Sequence, residues 1–121
     1  MHNQAAAKAY QRTTQTTVNP RELEASLLLK AAAKLQAATD NWDPAGLEFD
    51  HAITYNRKLW TLLSASVTNP ENPLPVQIKQ NIGNLAVFVI SRSVDILISP
   101  EVKKLAALIN INRMIAEGLR G

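Results

Sequence analysis

Four prolines divide this chain into segments that each read as a helix. Pro20, Pro44, Pro75 and Pro100 each precede a run of apolar residues at three- and four-residue spacing. Proline suits the first turn of a helix, where its missing N–H costs nothing, and disrupts a helix interior. Val18-Asn-Pro-Arg-Glu-Leu23 adds an asparagine cap at Asn19 and Glu22 three residues later, with Val18 placed to clasp Leu23. Trp42-Asp-Pro-Ala-Gly-Leu47 repeats the arrangement, with Asp43 as the cap and Trp42 stapled to Leu47. Ser99-Pro100-Glu101 opens the last segment, with Glu101 near the positive end of its dipole. No period-two alternation of useful length competes with this pattern.

The expected architecture is all-α: one small bundle of about five helices over residues 1–121, with short linkers and therefore antiparallel neighbours. The first helix, about Asn3 to Thr17, is weak, because four threonines follow its alanines and Tyr10 is its one large side chain. It is expected to be a loosely attached element that could detach. The second runs from about Pro20 to Asp40, with Leu23, Leu27, Ala31, Leu35 and Ala38 on one face. The third runs from about Pro44 to Thr68, with a break near Asp50. The fourth, about Pro75 to Ile98, is apolar nearly all round through Leu85–Ile90, which implies a central position. The fifth runs from about Pro100 to Glu117 on a stripe of Val102, Leu105, Ile109, Ala116 and Leu119, with Gly118 as its stop. Leu27, Leu35, Ile53, Leu63, Ile82, Leu85, Val89, Leu105 and Ile109 are the expected core.

Asparagines interrupt these apolar faces where leucine would pack better. Asn56 shares a stripe with Ile53, Trp60, Leu63 and Val67. Asn81 and Asn84 sit beside Ile78, Ile82, Leu85 and Phe88, and Asn112 lies in the last helix. A buried amide is costly unless hydrogen-bonded. Two readings follow: an internal polar network that fixes helix register, or a groove that offers amides to a partner backbone. Trp60 reads as core and Trp42 as a staple.

Catalytic chemistry finds little support. The chain has no cysteine, which removes thiol nucleophiles and cysteine metal sites and suits a reducing compartment. His2 is terminal, and His51, with Glu48 and Asp50 nearby, is a weak metal site. The four glycines form no phosphate loop. We expect no enzyme activity, no cofactor and no metal. The longest pure apolar run, Leu85–Ile90, is far short of the ~20 residues of a membrane span, so no membrane insertion is expected. The net charge of +3 comes from thirteen scattered basic residues, which suits a solvated surface better than an RNA site.

The order of segments resembles the FlaF family of alphaproteobacterial flagellar biosynthesis proteins. The matching pieces are Ala9-Tyr10-Gln11, Pro20-Arg-Glu-Leu-Glu-Ala25, Leu27-Leu-Leu-Lys-Ala-Ala32 and Asn41-Trp42. They continue with Tyr55-Asn-Arg-Lys-Leu-Trp-Thr61, Asn72-Pro-Leu-Pro75, Gln80-Asn-Ile82, Asn84-Leu85, Ile111-Asn-Arg113 and Ala116-Glu-Gly-Leu-Arg-Gly121. The resemblance implies a cytoplasmic helical protein needed for flagellin production. It acts either as a flagellin-binding chaperone for type III export, or as a post-transcriptional regulator working with FlbT on flagellin messenger RNA. Flagellin's terminal segments would be disordered before assembly and helical in the filament. Wide apolar faces favour the chaperone role by helix-in-groove capture. The candidate partner-binding residues are Tyr10, Asn56, Arg57, Trp60, Asn81, Asn84, Phe88, Asn112, Arg113, Leu119 and Arg120. Arg57, Arg113 and Arg120 would meet flagellin carboxylates at the rim.

Overall fold

Pro20 starts the first helix at the position its fixed φ favours. The computed structural model describes residues 20–121. They form α1 (Pro20–Asp40), α2 (Leu47–Thr68), α3 (Val76–Ile98) and α4 (Leu105–Arg120), with a 3-10 turn at Val102–Lys104 leading into α4. The class is all-α, and the described residues hold four of the five expected helices. The helix expected from about Asn3 to Thr17, Tyr10, and the Val18–Asn19 cap lie outside the described residues.

The helix starts differ from expectation in two places. Asp43 does not cap α2. Its Oδ1 accepts from the Ala45 amide at 3.1 Å, an Asx turn that uses the side chain two residues on and delays the helix to Leu47. Trp42 does not clasp Leu47, which is exposed. It meets Phe49 edge-on, with ring centroids 5.2 Å apart. α2 then runs unbroken past Asp50. At the other start, Glu101 is extended (φ −142°), so the chain makes a 3-10 turn before α4 begins at Leu105. Val102 is therefore exposed rather than on the core stripe. Gly118 stops nothing, because α4 continues to Arg120.

α1 packs most extensively against α4, then against α2. Its core face is Ala25, Leu28, Ala31, Ala32, Leu35 and Ala38. Four alanines there let the α4 backbone approach closely. The face is turned toward Leu28, so Leu23 is exposed and Leu27 only partly buried. The Arg120 Nε to Glu22 Oε2 distance of 3.8 Å sets the end of α4 beside the start of α1, which makes the pair antiparallel.

The α2–α3 turn is fastened by asparagines. Asn69 Oδ1 accepts from the Glu71 amide and Asn72 Oδ1 from the Leu74 amide, while Asn72 Nδ2 donates to Ser66 O and Oγ. Leu74 is thereby tucked into the core.

α3 is not central. It packs against α2 and touches α4 only sparsely. Ile82, Ala86, Val89, Ser93 and Ile96 face inward, and Leu85 is only partly buried. Val76, Val87, Val94 and Ile98 are exposed. An all-round apolar sequence here marks a helix with one apolar face covered and another open. Lys104 secures its far end. The ammonium donates to Ser99 O at 2.8 Å and lies 3.0 Å from Asp95 Oδ2, where it also meets the negative end of the α3 dipole.

Candidate helix-binding cleft

Two of the asparagines answer to the core. Asn56, Trp60 and Asn112 are all fully buried. The Trp60 Nε1–H donates to Asn112 Oδ1 at 2.8 Å. Asn112 Nδ2 donates to Asn56 Oδ1 at 2.6 Å and more weakly to Leu28 O at 3.4 Å. One amide on α4 therefore ties α1 and α2 together. Amide orientation follows from the network, since turning Asn56 would set two NH2 groups face to face. Asn56 Nδ2 has no partner among the described residues. The internal reading thus accounts for Asn56, Trp60 and Asn112, whose side chains do not reach the surface.

The other candidates are spread over several faces. Asn81, Asn84 and Phe88 are exposed on α3. Arg92 covers the Phe88 ring, its guanidinium carbon 5.4 Å from the centroid. Arg57 sits on α2 beside Lys58, Thr61 and Leu62. Arg113 is exposed between α1 and α4, near Gln36 and Lys103. Arg120 pairs with Glu22. The three arginines therefore form no single rim.

What the structure does bring together is an apolar cleft between α3 and α4. Because these two helices barely meet, a hollow of about 180 Å³ opens between them. Ile78, Asn81 and Ile82 line it from α3, and Ile115, Gly118 and Leu119 from α4. Leu119 is mostly buried in its floor. A Cβ placed on Gly118 would meet nothing within 4 Å. Asn81 supplies an amide at the edge of an otherwise apolar lining. Of the sequence candidates, Asn81 and Leu119 meet here. Ile78, Ile115 and Gly118 were not among the candidate site residues: Ile78 read as a neighbour of Asn81 on the apolar face, and Gly118 as a helix stop.

Elsewhere the chemistry is sparse. His51 is exposed beside Lys34 and Glu48. Among the described residues no cluster of His, Asp and Glu is placed to hold a metal ion. Lys34 and Lys30 lie over the Tyr55 ring at 5.1 and 6.0 Å, joining α1 to α2 by cation–π contact. Partial burial pushes the Glu24 carboxyl above its ordinary pKa, and Arg21 partly offsets this. Among the described residues one helix, α3, is long and apolar enough by length and composition to cross a membrane, although no unbroken apolar run within it is long.

Residues 6–119, nearly the whole sequence, match the family described as Flagellar protein FlaF. The chain belongs to the FlaF family. Neither the curated proteins nor the solved structures gave a match. Two of the FlaF-like segments meet in space. Tyr55–Thr61 supplies Asn56 and Trp60, Ile111–Arg113 supplies Asn112, and the three side chains bond one another across more than fifty residues. Those segments of the FlaF pattern hold the bundle in register. Gln80–Ile82 and Ala116–Gly121, by contrast, border the cleft.

Proposed function

We propose that this FlaF-family chain is a flagellin chaperone that takes a helical terminal segment of flagellin into the α3–α4 cleft. Capture would keep the segment from polymerising early and hold the subunit for export. The observation that carries the reading is the cleft itself. Two helices flank it, its lining is apolar apart from Asn81, and one wall holds a glycine with open space above it. That is the form in which an amphipathic helix is usually received, with its apolar face in a groove and polar groups at the margin. Asn84 and Phe88 stand on α3 outside this lining. The family supports the flagellar setting.

Titration calorimetry against flagellin, whole and trimmed at either end, tests this. We expect saturable binding, about one to one, that is lost with one trimmed end and changes little with salt. Gly118→Trp should abolish it while leaving the helical spectrum intact, because its ring would fill the cleft. Unchanged affinity in Gly118→Trp would remove the cleft from the mechanism. Absence of binding to every flagellin form, together with steeply salt-dependent binding to the flagellin leader RNA, would favour the regulator role shared with FlbT.

A further inference from the structure

We propose that a second copy of this chain packs on the exposed face of α3, giving a two-fold dimer whose seam is α3 against α3. Val76, Gln80, Gly83, Val87, Ile90, Val94 and Leu97 recur at alternating steps of four and three. That is the 3.5-residue period of a coiled-coil seam, held for three heptads, and at 1.5 Å per residue it runs for roughly 30 Å. The inward face of the same helix, Ile82 to Ile96, lies roughly 120° away, counting 100° per residue. The seam is therefore an additional face, and it points away from the cleft wall of Ile78 and Asn81. Val87 and Val76 are 68% and 66% exposed.

Gly83 is the second observation. It sits mid-helix, where glycine costs about 1 kcal/mol relative to alanine, and a Cβ there would meet nothing within 4 Å. Nothing among the described residues requires a glycine at this site. Close approach by another helix does.

A second copy fits the seam better than the alternatives. The seam carries no charge, and of the residues flanking it only Lys79 does; the reversed pairing sets the two copies' Lys79 at opposite ends, where they do not face each other. In a reversed pairing with its two-fold between Phe88 and Val89, Val94 covers the gap at Gly83, Val87 meets Ile90, and Gln80 meets Leu97. The small residue Gly83 thus faces a larger one, and Val87 meets Ile90 as aliphatic against aliphatic. The exposed apolar side chains amount to on the order of 500 Å² per copy, so their full occlusion buries about 1,000 Å² before polar flanks are counted, the lower end for a specific interface. Residues 1–19 are rich in alanine, threonine and glutamine and carry few large apolar side chains to offer such a face. A bilayer would have to accept Lys79, Arg92 and Asp95 on the same helix.

Sedimentation equilibrium of the full chain from about 1 to 200 μM is the test. A monomer–dimer equilibrium is expected. Val87→Glu, at an exposed site outside the cleft, should raise the dimer dissociation constant at least about 100-fold by placing an unpaired charge in the seam. Its helicity and Trp60 emission should not change. In this cysteine-free chain, mixed Gly83→Cys and Val94→Cys proteins should cross-link to each other more readily than either to itself. A monomer throughout the range overturns the proposal, as does a dimer indifferent to Val87→Glu. A monomer whose binding to anionic vesicles or to flagellin is lost in Val87→Glu overturns it too and assigns the face to that partner. Flagellin binding by the Gly118-bearing cleft is read separately, by Gly118→Trp, and survives all of these outcomes except a loss of flagellin binding in Val87→Glu.

Discussion

Asn112→Ala should be among the most damaging single changes in the described core. The wild-type amide accepts the Trp60 indole N–H at 2.8 Å and donates to Asn56 Oδ1 at 2.6 Å. Truncation leaves both groups buried without a partner. Each stranded polar group costs about 1–3 kcal/mol. Leu28 O accepts only a long bond from Asn112, so its loss adds little. The sum is about 3–5 kcal/mol, with the small cavity included, against a total stability of roughly 5–15 kcal/mol for a domain. Urea unfolding read by tryptophan emission and far-ultraviolet circular dichroism measures it, and Trp60 reports from inside the network. A loss under about 1 kcal/mol would refute the reasoning, because it would mean that the stranded groups find water or other partners. The double change Asn56→Leu/Asn112→Leu should not cost the sum of the two single changes, since it removes one interaction from both sides.

Gly118→Ala should stabilise the protein by about 0.5–1 kcal/mol, since the added methyl meets no neighbour and the helix gains a better former; a urea midpoint that falls would show the site to be crowded. Glu24→Gln should raise stability at pH 7. The folded carboxyl holds its proton more tightly than the unfolded one, so Glu24 destabilises the fold when ionised and ceases to do so as the pH falls through its raised pKa. The advantage of the glutamine should therefore shrink in melts toward pH 4, and a benefit independent of pH would contradict the burial argument. Lys104→Met should cost about 1 kcal/mol by removing the hydrogen bond to Ser99 and the ion pair with Asp95, and should be less harmful at high salt; thermal melts at two salt concentrations decide it.

Much of the fold is written in local signals. Pro20 and Pro75 mark helix starts because a proline without an N–H is tolerated at the first turn and not in a helix interior, and the stripe Ile53, Asn56, Trp60, Leu63, Val67 is buried along its whole length. Other starts were displaced by side chains acting at short range. Asp43 turned its carboxylate to Ala45 instead of capping a helix, and the extended Glu101 postponed α4. The buried asparagines were legible as polar groups requiring partners, yet which partners they have depends on α2 and α4 meeting, which no local pattern states. Leu85 and Leu27 read as core and are only partly buried, because periodicity gives the apolar arc of a helix and not the portion of it that neighbours cover. The cleft was illegible for a related reason. It exists because α3 and α4 do not close on each other, and a sequence carries no mark for a contact that is not made.

The Asn56–Trp60–Asn112 bonds join α1, α2 and α4 and bypass α3. Directional bonds resist sliding, whereas apolar contact tolerates it. Three rods are thus keyed to one another, and the fourth is held on α2 by greasy contact between two end fastenings, the asparagine turn and the Lys104 clasp. Rolling or tilting of such a rod breaks none of the hydrogen bonds of that network. One wall of the cleft is thus keyed into the core network and the other is not, so the width of the cleft can change without rearrangement of the part that keeps the protein folded.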